Sequence, residues 1–277
     1  MNIINKRICT TIGLWSIIIA SVAFLGPIGG VGLLAMIGLL ALNELYEALA
    51  HMGYQPLKPL GLILGTGLII GAYTLPITGS MGGGLLGLVV TFFCCLSLYK
   101  STSTDWLKKK LMPTLLGILI VPFNLQFFCL IAREQATHGL TLVIWVVAVA
   151  KFTDVGGLVG GYFLGYRPLC PHISPKKTWE GLWVGMLCAV VTGAVFFLLG
   201  RSFLPATLTW PIVLTISPII AVFSVLSDLF ESVIKRMAQV KDSGHILPGI
   251  GGALDLVDSL LMVGPVAYWL LHITLSC

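Results

Sequence analysis

Long apolar runs are the feature that most limits what this chain can become. Residues 11–27, 30–50, 58–77, 80–99, 111–132, 139–163, 179–200, 207–229 and 254–274 are each dominated by Leu, Ile, Val, Ala, Gly and Phe. Each approaches the ~20 apolar residues that an α-helix needs to cross a bilayer. In hydrocarbon, backbone polar groups have to be satisfied internally, and runs of this length do so as helices. Composition agrees: the chain is 57% hydrophobic and 10% charged, with a mean hydropathy of +1.00, whereas soluble domains carry about 25% charged residues. The expectation is an all-α, polytopic integral membrane protein with about nine transmembrane helices. Lys6, Arg7 and the later Ser21-Val22-Ala23 have the outline of a signal peptide. A second run follows almost at once, so the first is read as an uncleaved span.

Basic residues set the expected orientation. With nine spans, the N-terminus shares a side with the connections near 51–58, 100–110, 165–178 and 230–253. That side carries Lys6, Arg7, Lys58, Lys100, Lys108, Lys109, Lys110, Arg167, Lys176, Lys177, Lys235, Arg236 and Lys241, against Arg133 and Arg201 on the other. By the positive-inside rule the N-terminus is cytoplasmic and the C-terminus lies on the opposite side of the cell (inner) membrane, as in a multi-pass protein. Lys108-Lys109-Lys110 reads as an anchor to anionic headgroups. The seven cysteines form no CxxC pair and fall mostly in apolar runs, so they read as small hydrophobes rather than metal ligands or disulfides.

Charge is unevenly spread. Glu44 and Glu47 close the second run and read as interfacial, solvated acids. The segment Ser227–Leu260 is different: it carries Asp228, Glu231, Asp242, Asp255 and Asp258, five of the eleven acids in the chain, with Lys235, Arg236 and Lys241. Asp228, Glu231, Ser232, Lys235 and Arg236 are spaced to share one helix face, and Asp255 and Asp258 form a second pair. Acids at the edge of hydrocarbon are costly without a partner. Close carboxylates repel unless protonated or bridged by a cation, and hard oxygen ligands beside phosphates suit Mg²⁺. Between the two groups, "SGHILPGIGG" contains His245, Gly251 and Gly252 in an irregular loop, of the kind that lets backbone N–H groups approach an anion.

A second cluster is "SPKKTWEG", Ser174 to Gly181. Thr178 is placed to cap a helix with Glu180 in its first turn. Lys176 and Lys177 stand beside that helix start, a position suited to phosphate. Upstream, Lys151 and Asp154 are spaced for mutual neutralisation within a span. Gly156, Gly157, Gly160, Gly161 and Gly165 suit close helix packing. The chain separates into residues 1–135, a scaffold of five spans, and 136–277, four spans and the cytoplasmic loops that hold the chemistry.

At these residues the sequence resembles the CDP-diacylglycerol synthase (phosphatidate cytidylyltransferase) family. The signature near the C-terminus is matched by Ser232, Lys235, Arg236, Lys241, Asp242, Gly244, Pro248, Gly251, Gly252, Asp255 and Asp258, with Asp228 and Glu231 just upstream. A second window is matched by Asp154 and by Ser174 through Gly181. Together the windows cover about a quarter of the chain. Two positions depart: the family's loop histidine is Ile250 here, and the arginine after the first acid is Leu256. The resemblance implies transfer of a cytidylyl group from CTP to phosphatidate, giving CDP-diacylglycerol and pyrophosphate. It implies one or two cations, Mg²⁺ first, on Asp228 and Asp255. It makes Asp228, Asp255, Lys235, Arg236 and Lys241 the catalytic set. Ser174, Lys176, Lys177, Thr178, Ser232, His245, Gly251 and Gly252 would bind substrate, with Asp154, Glu180, Glu231, Asp242 and Asp258 in support. Membrane lipids are the other implied partners, no nucleic acid is implied, and the glycine-rich faces allow a homodimer. A secondary transporter would call for inverted repeats and mid-span acids, and neither is visible. A non-catalytic lipid-binding relative would be marked by loss of Asp228 or Asp255, and both are kept.

Overall fold

A computed structural model describes residues 3–75, 104–134, 137–240, 243–244 and 251–275. The expected span 80–99 lies outside these residues, as do Lys241, Asp242, His245, Pro248 and Ile250. Among the described residues the chain is almost wholly helical. Among the described residues, six helices are long and apolar enough to cross a membrane: Phe24–His51, Leu107–Glu134, Gly139–Leu164, Trp179–Leu199, Trp210–Met237 and Ala253–Leu275. Lys58–Thr74 is a shorter apolar helix. The two compact units are Met1–Leu130 with Ile234–Val257, and Ile131–Val233 with Asp258–Cys277.

The first unit begins with α1 (Ile3–His51), which kinks at Gly26, whose φ is 59°, just before Pro27. The expected spans 11–27 and 30–50 therefore appear as two arms of one helix. Next come α2 (Lys58–Thr74), a π turn (Leu107–Leu111), α3 (Met112–Ile120) and the start of α4 (Pro122–Glu134). Pro122 has no N–H to continue the ladder. At that break, the Asn124 side-chain amide donates to the carbonyls of Leu119 and Ile120 at 2.9 and 2.8 Å. The core gathers Leu42, Leu45, Tyr46, Ile69, Ile118 and Leu125, all essentially inaccessible. The Tyr46 hydroxyl donates to the Thr114 carbonyl at 2.9 Å, so its polar tip is satisfied where its ring is buried.

The second unit is organised by α5 (Gly139–Leu164) and α6 (Trp179–Leu199). They meet along a seam of small residues. A Cβ on Gly156 would come within 2.6 Å of Cys188 Sγ and 3.0 Å of Gly185 Cα, and one on Gly185 within 2.9 Å of the Thr153 carbonyl oxygen. Membrane helices associate through this kind of close backbone approach, as the glycine spacing led us to expect. Between them lies a hairpin that an all-α reading missed: β1 (Pro168–Cys170) pairs antiparallel with β2 (Ser174–Thr178). A strand containing Pro, Lys and Lys has no apolar alternation to announce it. The unit also holds most of α7 (Trp210–Met237), a 3₁₀ turn (Asp258–Leu260) and α9 (Val263–Leu275).

Candidate functional site

In the second unit, α7 turns Ser224, Ser227, Asp228 and Glu231 to one side, at the offsets that share a helix face. The carboxylates of Asp228, Glu231 and Asp258 converge there, with one oxygen from each lying within 4.8 Å of the others. Glu231 is buried, at 1% exposure. Asp258 is fixed by its surroundings: its backbone carbonyl accepts the Ser227 hydroxyl, and its Oδ1 accepts the Ser259 N–H at 2.5 Å. Ser227 Oγ in turn accepts the Met262 N–H at 3.2 Å. The serines on α7 thus tie the start of the last span to the helix that bears the acids.

Two lysines border this group. Lys177 Nζ lies 2.6 Å from Asp228 Oδ2 and 3.4 Å from the Val225 carbonyl. Lys151 Nζ donates to Ser259 Oγ at 2.7 Å and stands 3.7 Å from Asp154 and 3.9 Å from Asp258. Lys151 and Asp154 neutralise each other as their spacing suggested, but the pair is also part of the acidic group. Ser224 Oγ reaches Asp154 at 3.4 Å.

The hairpin explains why Lys177 reaches in. Successive residues of a strand face opposite sides, so Lys177 is half-buried toward Asp228 while Lys176 is exposed. Thr178 caps α6 by accepting the Gly181 N–H at 3.1 Å. Glu180, in the first turn, accepts the N–H groups of Tyr166 and Arg167 at 3.0 and 3.1 Å. Glu180 therefore holds the approach to the hairpin, and Ser174 opens its second strand. Ser232 is half-buried on α7.

The first unit holds the remaining described candidates. α8 (Ala253–Val257) is only a short helix, yet its start is densely bonded. Asp255 Oδ1 pairs with Lys235 Nζ at 2.8 Å. Its Oδ2 accepts the Gly252 N–H at 2.7 Å, the Ser243 N–H at 3.2 Å and the Ser243 hydroxyl at 2.9 Å. Gly251 has φ of +123°, which a side chain would strain, and a Cβ there would meet the Asp255 carboxylate. Arg236 is exposed. The carboxylates gathered around Asp228 are thus Glu231 and Asp258, whereas Asp255 sits in the other unit, against Lys235.

One acid was misread. Glu44 is not solvated: it is 2% exposed, and its carboxylate accepts the N–H groups of Ala253 and Leu254 at 2.9 and 2.8 Å. Glu47 is exposed, 3.7 Å from Lys58. Ser227, Ser243 and Ser259 were also missed. Their types are too common in membrane helices to stand out, and only the acids beside them in sequence hinted at a role.

Comparison with known proteins decides the family. The model of the cytidylyltransferase family matches residues 5–274. The chain belongs to this family. Within it, the chain is 42% identical over 139 residues to the phosphatidate cytidylyltransferase of Bacillus subtilis, covering 50% of each chain. It is 33% identical over 173 residues to the protein of that name from Rickettsia bellii, covering 60% of this chain and 72% of the relative. A Helicobacter pylori protein of the same name is 40% identical over 147 residues, with 51% of this chain and 52% of the relative covered. The chain thus spans about half the length of the Bacillus and Helicobacter relatives it matches.

Proposed function

We propose that this member of the cytidylyltransferase family is a phosphatidate cytidylyltransferase: a phosphatidate oxygen attacks the α-phosphorus of CTP, a new P–O–P bond forms, the α–β anhydride bond breaks, and pyrophosphate leaves. The observation that carries this reading is the convergence of Asp228, Glu231 and Asp258 beside Lys177, within the family's own sequence windows. Three carboxylates so close repel one another unless something positive separates them. Their donor set, all hard oxygen, fits Mg²⁺. A bound cation would supply charge neutralisation for the triphosphate and the departing pyrophosphate. A cation on Asp255 would have to displace Lys235, which now lies 2.8 Å away.

The chain's own residues do the positioning. Lys177, held at Asp228, is placed to take a triphosphate oxygen, and Lys176 offers a second, more solvated contact. Lys235, Arg236 and Lys241 would take phosphatidate or pyrophosphate oxygens. Ser174, Thr178, Ser232, His245, Gly251 and Gly252 would line the substrates. Asp154, Glu180 and Asp242 would fix the groups that touch them. Little covalent work is asked of such a protein, and orientation and charge stabilisation supply most of the rate. In this reading residues 136–277 carry the chemistry and 1–135 support them. Nine spans with a cytoplasmic N-terminus put the basic loops where CTP is dissolved and where the lipid phosphate meets water in the inner membrane.

The test is CTP-dependent pyrophosphate release by the purified protein in mixed micelles with phosphatidate and Mg²⁺. Wild type is expected to turn over, and Asp228→Asn and Asp255→Asn to lose about a hundredfold or more in kcat, the usual scale for removing one electrostatic contact of this kind. A silent wild type that still binds phosphatidate would instead point to a non-catalytic relative disabled at Ile250 and Leu256.

A further inference from the structure

The acid that the sequence placed at a solvated helix end is among the most completely buried polar residues described. Glu44 sits on α1, about two hundred residues before its partners. Its Oε1 accepts the Ala253 N–H and its Oε2 the Leu254 N–H. Oε2 also lies 3.1 Å from Ser243 Oγ. That hydroxyl is 2.9 Å from Asp255 Oδ2 and has one proton to give, so Glu44 and Asp255 share it. The first N–H groups of a helix have no intrahelical acceptor. At α8 those of Gly252, Ala253 and Leu254 are met by two carboxylates, Asp255 for the first and Glu44 for the other two. The approach is close on the glycine side as well. A Cβ on Gly244 would stand 2.7 Å from Glu44 Cδ, and one on Gly252 would stand 2.6 Å from it. Glycine at these two positions is what lets the carboxylate lie against the backbone.

We propose that Glu44 is a positioning residue for the Asp255–Lys235 pair, holding the turn at Gly251–Leu254 and, through Ser243, the carboxylate that aims Lys235. The role rests on the proposed function, because it gives the pair a task in phosphate binding. An apolar residue at 44 would pack as well on an apolar helix but would orphan two buried N–H groups and release Ser243.

The test uses the full-length protein with Glu44→Gln, Ser243→Ala and the double variant. Glu44→Gln keeps the shape but turns an NH₂ toward a donor. It is expected to lower kcat about ten- to a hundredfold, the usual cost of losing a contact that orients a reacting group, with little change in KM for CTP. Ser243→Ala added to it should cost less than the product of the two single losses, since both act through Asp255. Losses that multiply fully, or a Glu44→Gln enzyme with wild-type kcat, would overturn the proposal. Hydrogen exchange at the Ala253 and Leu254 amides gives a readout independent of turnover: it should quicken in Glu44→Gln, and unchanged exchange rejects Glu44 as the residue that holds the turn. If wild type releases no pyrophosphate, the function is wrong, and the exchange measurement alone decides the fate of Glu44.

Discussion

At the scale of single residues, neighbours in sequence are given different work by their backbone. Lys176 and Lys177 look interchangeable as letters, and both match the family's pattern. In β2 they face opposite ways, and only Lys177 meets Asp228, at 2.6 Å. Lys177→Met should therefore lower kcat about a hundredfold, because it removes a charge placed at the carboxylate group. Lys176→Met removes a solvated charge, for which a loss of about fivefold or less is expected. Steady-state kinetics of the two variants in the same micelles would separate them, and equal losses would mean that the strand does not set the difference. Glu44 teaches the converse. Nothing local marks it, since an acid near the end of an apolar run is ordinary and its partners Ala253 and Leu254 are 209 and 210 residues distant. Contacts at that separation are decided by tertiary packing, which a single sequence does not display.

At the scale of elements, the helices were legible and the hairpin was not. Runs of apolar residues long enough for a bilayer announced α5 and α6 to within a residue or two, because that length requirement is physical, whereas the expected run 254–274 is divided into α8, a 3₁₀ turn and α9. α7 extends well past its apolar run, to Met237, since the charged turns Asp228–Arg236 stay helical. Its end is set by Gln239, whose φ of 57° turns the chain out of the helix while the Val240 N–H still reaches the Lys235 carbonyl at 3.0 Å, the αL ending that helices commonly use. The hairpin carried no such signal, yet it decides where Lys177 points. The glycine seam was legible in outline, and the structure makes it quantitative. Gly156→Ala would drive a methyl against Cys188 Sγ and the Gly185 backbone, and should destabilise by about 1–3 kcal/mol as overpacking does. Gly157→Ala meets only the Gly181 carbonyl oxygen, at 3.7 Å, and should be neutral or gain up to about 1 kcal/mol from helix propensity. Thermal unfolding in detergent reads both, and the opposite order would mean that the seam is not where the two helices touch.

For the whole molecule, α1 bears on the parity of the membrane crossings. At 49 residues it would run about 74 Å if straight, at 1.5 Å per residue, more than twice the ~30 Å of hydrocarbon. It bends at Gly26, and each arm is long enough for a crossing. If both arms cross, and residues 80–99 add a span, the total is odd and the termini lie on opposite sides. If only Phe24–His51 crosses, the total is even and they share a side. Thirteen basic residues against two fall on one side only under the odd count, and this asymmetry is what orients membrane proteins during insertion. The proposed function calls for the same count, with a cytoplasmic N-terminus, because its basic connections would then meet dissolved CTP. Reporters that act on one side of the membrane only, fused separately to the N-terminus and the C-terminus, should therefore place the N-terminus in the cytoplasm and the C-terminus outside it. Both termini in the cytoplasm would reduce α1 to a single crossing and send its first arm along the membrane surface. The basic loops after α1 would then face away from the nucleotide, and a CTP-using site built on Lys177 and Asp228 would lose its substrate.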